Sequence, residues 1–343
     1  MALKKIAKNL MNTLWGLFPS EIKNSLKNFY DLYLIRGNKN KAANKKFREC
    51  FILNTRGLFA SCDTHNKYQI SSSKNIDFNI VKETRKIYVC SDAIERFQRF
   101  KLKHIRNNFC LYTGDSDLTI SVKEIDKKII DAILENPYLD TWYAQNLDYS
   151  HPKLINLPIG IDYHSDYYNL DLSPQTQEET LKSILSKAKK TRDRKKMAYC
   201  NWHFELDRGD RKQCFNSTPK EICFYEPYRI IRKKVWENQS KYAFCLSPEG
   251  AGLDCHRTYE AIFLGSVPII RKNCLSKMFS NLPIVLVDNY KDISRSFLSD
   301  QLGVILEKKY DFSSLMMATY SDSLLPIQDK LTFDDFQEVL SEL

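Results

Sequence analysis

Glycine is scarce, 10 of 343 residues, which excludes collagen-like or glycine-rich low-complexity structure and makes any local pair of glycines informative. The ten cysteines include no CxxC pair and no cysteine–histidine spacing of the zinc type. His65, His104, His151, His164 and His203 show no metal-ligand spacing either. There is no GxGxxG with a downstream acid, no GK[ST] phosphate loop and no GxSxG elbow, so the common dinucleotide, NTPase and hydrolase signatures are missing. No run of 18 apolar residues occurs, so no segment reads as a spanning helix. The first 20 residues begin basic, but Asn9, Asn12 and Thr13 interrupt a signal-peptide core. Several cysteines sit in apolar runs such as KIYVC and YAFCL, the ordinary place of a free thiol in a reducing compartment. A cytoplasmic protein is expected.

What is present is globular: 43 % hydrophobic and 27 % charged residues, enough for two cores at this length. The net charge of +10 is unevenly spread. Residues 1–48 hold eleven Lys or Arg against only Glu21 and Asp31, leaving the remainder nearly neutral. A nucleic-acid enzyme would show a basic face throughout, so no nucleic-acid partner is expected. The TRDRKK run reads as a solvated linker.

In the arm, Leu3, Ile6, Ala7, Leu10, Leu14, Leu17 and Phe18 share one helical face, with Lys4, Lys5 and Lys8 opposite. A basic amphipathic helix with Trp15 at its border suits an anionic membrane surface. It suits equally a helix packed on the body with its lysines solvated. A peripheral position at the inner face of the membrane is the corresponding expectation.

From residue 85 strand-like and helix-like runs alternate: KIYVC, DAIERFQRFKLKHI, NNFCLYTG, VKEIDKKIIDAILEN, DTWYAQN and KLINLPIGI. A polar stretch follows, and then a second series: KKMAYCNWHF, RIIRKKVWENQSK, YAFCLS, CHRTYEAIFLG, SVPIIR and LPIVLVDN. Such alternation predicts α/β units on parallel sheets. The division is an arm over 1–48, a first Rossmann-like domain over 49–165, a linker over 166–195 and a second domain over 196–343.

The densest signal lies in Lys241–Lys272. A buried strand runs into Ser247 and Pro248, and Gly250 and Gly252 make a tight loop. Asp254 is placed to cap the next helix, whose first turn carries His256 and Arg257. Strand, glycine loop and helix start form an anion site, because free N–H groups and the helix dipole point at the ligand. Arg257 adds a fork suited to a diphosphate, and Glu260 a carboxylate for ribose hydroxyls. The bland alternative is a structural turn with Arg257 and Glu260 as an i, i+3 salt bridge.

The string Ser247, Pro248, Gly250, Gly252, Arg257, Glu260, Ala261, Leu264, Gly265 and Pro268 resembles the nucleotide-sugar signature of exostosin-like glycosyltransferases. The likeness extends weakly over about residues 140–295. It implies Asn201, Arg208 and Arg211 as further donor-binding residues. It also implies a two-domain GT-B glycosyltransferase, inverting and metal-independent, taking a nucleoside-diphosphate sugar, usually UDP-linked, to a glycan or glycolipid acceptor.

Such a transfer needs a base near the acceptor hydroxyl. Asp115, Asp117, Asp148 and Asp162 follow strand-like runs, and Asp117 is the first choice, with Asp115 beside it. The pair also imitates the Asp-x-Asp metal motif of GT-A transferases, so a divalent metal is the alternative to no cofactor. A non-catalytic nucleotide-sugar-binding protein is the other alternative.

Overall fold

The computed structural model describes residues 47–64, 79–165, 173–321, 327 and 329–342, all within one compact unit. All but the last two residues of the expected N-terminal arm, and with them the membrane-binding helix, lie outside the described residues.

The chain forms a mixed α/β structure on two parallel sheets. Strands β1 (Lys86–Cys90), β2 (Phe109–Gly114), β3 (Leu139–Ala144) and β4 (Leu154–Asn156) lie side by side in that order. Helices α1 (Thr55–Ser61), α2 (Ile94–Phe100) and α3 (Lys127–Leu134) accompany them. β1 and β2 read as near-continuous apolar runs because both faces of a parallel sheet are covered, here by Phe97, Ile130 and Ile133 among others. The helices are shorter than their sequence patterns. Asp126 accepts a hydrogen bond from the Lys128 N–H at 2.9 Å and so starts α3 five residues into the pattern that opens at Val122.

The second sheet contains β5 (Lys195–Cys200), β6 (Cys223–Tyr225), β7 (Tyr242–Leu246), β8 (Val267–Arg271) and β9 (Val285–Val287). Their spatial order is β6-β5-β7-β8-β9, all parallel. Counted from β5 this is the 2-1-3-4-5 order of a doubly wound sheet, whose direction of winding reverses between β5 and β7. In such sheets the crevice beyond the carboxyl ends of those two strands receives the ligand. Around the sheet lie α4 (Pro174–Lys187), α5 (Arg211–Ser217), α6 (Arg232–Gln239), α7 (His256–Phe263), α8 (Ser276–Phe279), α9 (Arg295–Glu307) and α10 (Phe333–Glu342).

The two halves are laced together rather than joined by one linker. Phe47, Ile52, Ile161 and Tyr163 enter the core of the second sheet, as do Leu181 and Leu185 of α4. The Glu178 carboxylate of α4 accepts from the Phe51 and Ile52 N–H groups, both at 2.9 Å. Leu53 donates to Leu315 O at 2.8 Å, and Ile161 donates to Leu53 O at 2.9 Å. Met317 and Tyr320 return to pack with Tyr88 and Tyr112 of the first sheet.

Gly160 sits at the tightest of these crossings. Its φ is +65°, and a Cβ there would lie 2.0 Å from the Leu53 carbonyl oxygen, a backbone atom that cannot swing away. Gly160→Ala should therefore lose roughly 2 kcal/mol or more, the left-handed backbone alone accounting for about 1–2 kcal/mol. A denaturant midpoint equal to that of the unsubstituted protein would contradict this.

None of the ten cysteines is bridged in a disulfide, and seven of them are buried. Among the described residues no helix is long and apolar enough to cross a membrane.

Candidate functional site

The loops after β5 and β7 meet at the switch point. The β7 loop begins with Ser247, which is buried and spent on structure: its N–H donates to Ile269 O at 2.9 Å and its hydroxyl lies 2.9 Å from Thr258 Oγ1. Gly250 donates to Gly252 O at 3.1 Å, closing the turn. The β5 loop lies directly on it. Gly209 has φ +52°, and a Cβ would come within 2.5 Å of Gly250 O, so this contact tolerates only glycine. Asp210 then fixes both loops. One carboxylate oxygen accepts from the Glu249 N–H at 2.8 Å, the other from Arg271 Nε at 2.9 Å and the Tyr290 hydroxyl at 3.0 Å.

This packing brings two guanidiniums together. Arg257 donates through Nη1 to Pro248 O at 3.1 Å, and Arg211 through Nη1 to Glu205 O at 3.4 Å. The Arg211 side chain is only 11 % exposed and its Nε is buried without a hydrogen-bond partner. Burial first, and then the like charge of Arg257, push Arg211 down to about 10. A cation held in low-dielectric surroundings beside a second cation is stabilised by any anion that reaches it. No side chain caps α7, because Asp254 is not its N-cap as the sequence suggests; Cys255 occupies that position. Arg208 is more exposed, 57 % at the side chain, and pairs with Glu205 at 3.1 Å.

Glu260 does not pair with Arg257. Its Oε1 faces Arg232 Nη2 of α6 at 3.7 Å. Glu260, Arg232, Asn201, Phe204, Tyr228 and Arg229 line a cavity of about 200 Å³ beside the loop. A larger cavity of about 790 Å³ opens between α4 and α6, next to Lys195 and Lys241 at the amino ends of β5 and β7, away from these groups.

Across the crevice stand the carboxyl ends of the first sheet. Asp115, the residue after β2, is held in a left-handed conformation (φ 57°) with its N–H donating to Gln145 Oε1 at 3.1 Å. Its carboxylate faces Arg56 Nε at 3.5 Å and His164 Nε2 at 4.0 Å. His164 Nδ1 lies 3.1 Å from Asp162, and Asp162 lies 3.2 Å from Arg232. A continuous polar chain thus runs Arg56–Asp115–His164–Asp162–Arg232–Glu260, from one sheet to the other. Burial would raise the Asp162 carboxyl, but His164, His256 and Arg232 outweigh it and hold it well below the usual range. Burial lowers His164 despite both carboxylates, so its ring is neutral at pH 7. His256 packs edge-on against it with centroids 6.0 Å apart. Its Nδ1 is 2.8 Å from Gly160 O and carries a proton there, since a carbonyl only accepts.

Asn146 and Asp254 tie the two halves together beside the crevice. Asn146, also left-handed (φ 50°), accepts from the Asp254 N–H at 2.9 Å, and its amide would meet a Cβ at Gly252 at 3.0 Å. Asp254 accepts from Ile159 N–H at 3.1 Å and the Tyr259 hydroxyl at 2.6 Å, and burial pushes its carboxyl up to about 6.

Of the aspartates singled out from the sequence, the structure brings Asp115 and Asp162 into the chain. Asp117 is exposed, and Asp148 pairs with Lys123 at 3.3 Å outside it. Asp115 is already faced by a guanidinium. Among the described residues no group of three His, Cys, Asp or Glu side chains is placed to hold a metal. Comparison with known proteins adds no assignment, as the chain matches no protein-family model and no curated protein sequence. Sequence reasoning passed over Arg56, His164, Arg232 and Glu205. Only His164 had a usable signal there, at the end of the LPIGIDYH run beside Asp162.

Proposed function

We propose that this chain is a glycosyltransferase that binds a nucleoside-diphosphate sugar at the β5/β7 switch point and an acceptor hydroxyl at the carboxyl ends of the first sheet, in a GT-B arrangement. The observation that carries the reading is the juxtaposition across one crevice of the half-buried Arg211–Arg257 pair and the Asp115–His164–Asp162 cluster. One side is built for a leaving diphosphate, the other for moving a proton.

The diphosphate lies against Arg211, Arg257 and the uncapped start of α7, where charge developing on the leaving oxygen is stabilised in a site already desolvated. The nucleoside enters the cavity beside Asn201, with Glu260 accepting from ribose hydroxyls and Arg232 holding Glu260 in place. On the acceptor side His164 accepts the hydrogen bond of the incoming hydroxyl, and Asp115 and Asp162 lie beside its ring, where their charge favours the imidazolium that forms. As the acceptor oxygen bonds to the anomeric carbon, its proton passes to His164, and the electron pair of the breaking carbon–oxygen bond leaves with the diphosphate. Direct displacement of this kind inverts the anomeric centre. A glycolipid acceptor would give the basic N-terminal segment a role at the membrane.

The test is a thermal-shift series with UDP-, GDP- and CMP-sugars, with and without EDTA. One nucleotide class should raise the melting temperature, a ligand at a hundred times its Kd adding about 2.7 kcal/mol of stability, and EDTA should leave the shift intact. A shift abolished by EDTA would transfer the reading to a metal-dependent site. Binding without turnover on any glycan or lipid-linked acceptor would reduce the protein to a nucleotide-sugar binder.

A further inference from the structure

The β5 loop carries a carboxylate that the proposed reaction does not use. Glu205 Oε1 accepts from both Nη1 and Nη2 of Arg229, each at 3.2 Å. Its other oxygen lies 3.1 Å from Arg208 Nε and 3.7 Å from Arg211 Nη1. Three guanidiniums therefore converge on one carboxylate, an excess of positive charge that Arg257, whose charge acts on Arg211, increases. A purely structural ion pair needs one cation. This group is built to the charge of something larger, and a nucleoside diphosphate brings two or more negative charges to the same forks.

Resting on the donor reading above, we propose that Glu205 is an internal stand-in for the donor's diphosphate, gathering Arg208, Arg211 and Arg229 in the free protein and surrendering them when the diphosphate binds. Two features suit it to exchange rather than to permanent pairing. Its side chain is 35 % exposed, and Arg208 and Arg229 are 57 % and 47 % exposed, so these two contacts are surface ion pairs of small net worth that a more highly charged anion displaces, while Arg211, 11 % exposed, stands off at 3.7 Å. Arg229 is also steadied independently of Glu205: it donates to Phe204 O at 3.2 Å and its guanidinium lies 5.4 Å over the Phe204 ring. It lines the 200 Å³ cavity as well, so it stays in position when the carboxylate withdraws.

The stand-in role and a scaffolding role predict opposite signs. Glu205→Gln keeps the shape and removes the competing charge, so inorganic pyrophosphate and UDP should bind roughly 3- to 30-fold more tightly than to the unsubstituted protein, the effect of deleting one like charge near the anion. If Glu205 only holds the arginines in place, the variant binds both more weakly. Glu205→Ala, which removes the carboxylate together with its stem, should behave like Glu205→Gln. Isothermal titration of the full chain decides it. Equal or weaker binding by both variants, with clear binding by the unsubstituted protein, overturns the stand-in role and leaves the donor reading standing. Failure of every protein to bind pyrophosphate or any nucleoside diphosphate at millimolar concentration overturns both.

Discussion

Arg211→Met combined with Arg257→Met should weaken nucleoside-diphosphate binding by roughly 100-fold to 10,000-fold, each lost charge-assisted phosphate contact contributing about 1.5–3 kcal/mol. Methionine keeps most of the aliphatic stem, so packing of the two loops changes little. The apo protein should not suffer. Arg211 is held in a buried place that depresses its basicity to about 10, and its Nε has no partner. Removing that cation relieves a desolvation penalty that is present at every pH at which the guanidinium is charged, so the variant should unfold no earlier than the unsubstituted protein. Calorimetric titration with UDP, alongside the denaturation midpoint of the free protein, separates the two effects. Unchanged affinity in a folded double variant would remove the diphosphate from the switch point and with it the reading of the whole loop.

The strands were legible because a parallel sheet covered on both faces demands unbroken apolar runs, and KIYVC, YAFCL and VPII are such runs. The glycine loop was legible because glycine is otherwise rare. Helix ends were not, since Asp126 and the turn at Leu102–His104 shorten α3 and α2 inside longer periodic patterns. The proposed site was unevenly legible: Asp115, Asp162 and Glu260 of the polar chain stood out in the sequence, and Arg56, His164 and Arg232 did not. Its donor loop is contiguous in sequence, whereas the polar chain facing it is assembled from Arg56, Asp115, Asp162, His164, Arg232 and Glu260, on five separated segments. Arg232 sits in RIIRKK beside the exposed Lys233 and Lys234, and nothing in that run tells a buried arginine from a solvated lysine. Asp117 and Asp115 are two residues apart. The left-handed backbone at Asp115 and its bond to Gln145 put that residue, not Asp117, in the cluster, and both are tertiary facts.

The acceptor side makes the second large prediction. His164→Gln should lower kcat by about 100-fold to 10,000-fold, the usual contribution of a positioned proton acceptor, and Asp115→Asn, which removes a charge favouring the imidazolium, should lower it by a smaller factor, while the affinity for the donor nucleotide stays within a few-fold of its original value. Asp117→Asn should leave both unchanged. The pH dependence distinguishes a proton acceptor from a scaffold. Burial lowers the His164 pKa from its ordinary 6.5, so the ring keeps its free base through neutral pH and is protonated only in more acid solution. The acid limb of the kcat profile should therefore fall below pH 6.5 and disappear in His164→Gln. Asp162→Asn should move that limb to still lower pH, since the carboxylate 3.1 Å from Nδ1 favours the imidazolium. The sign follows from charge alone: Asp162 raises His164, burial lowers it, and deleting the carboxylate leaves burial unopposed on that side of the ring. A limb unmoved by Asp162→Asn, or one that survives in His164→Gln, would assign proton transfer to another group of the cluster. His256 is the first such group, its ring packed against His164 and its Nδ1 committed to Gly160.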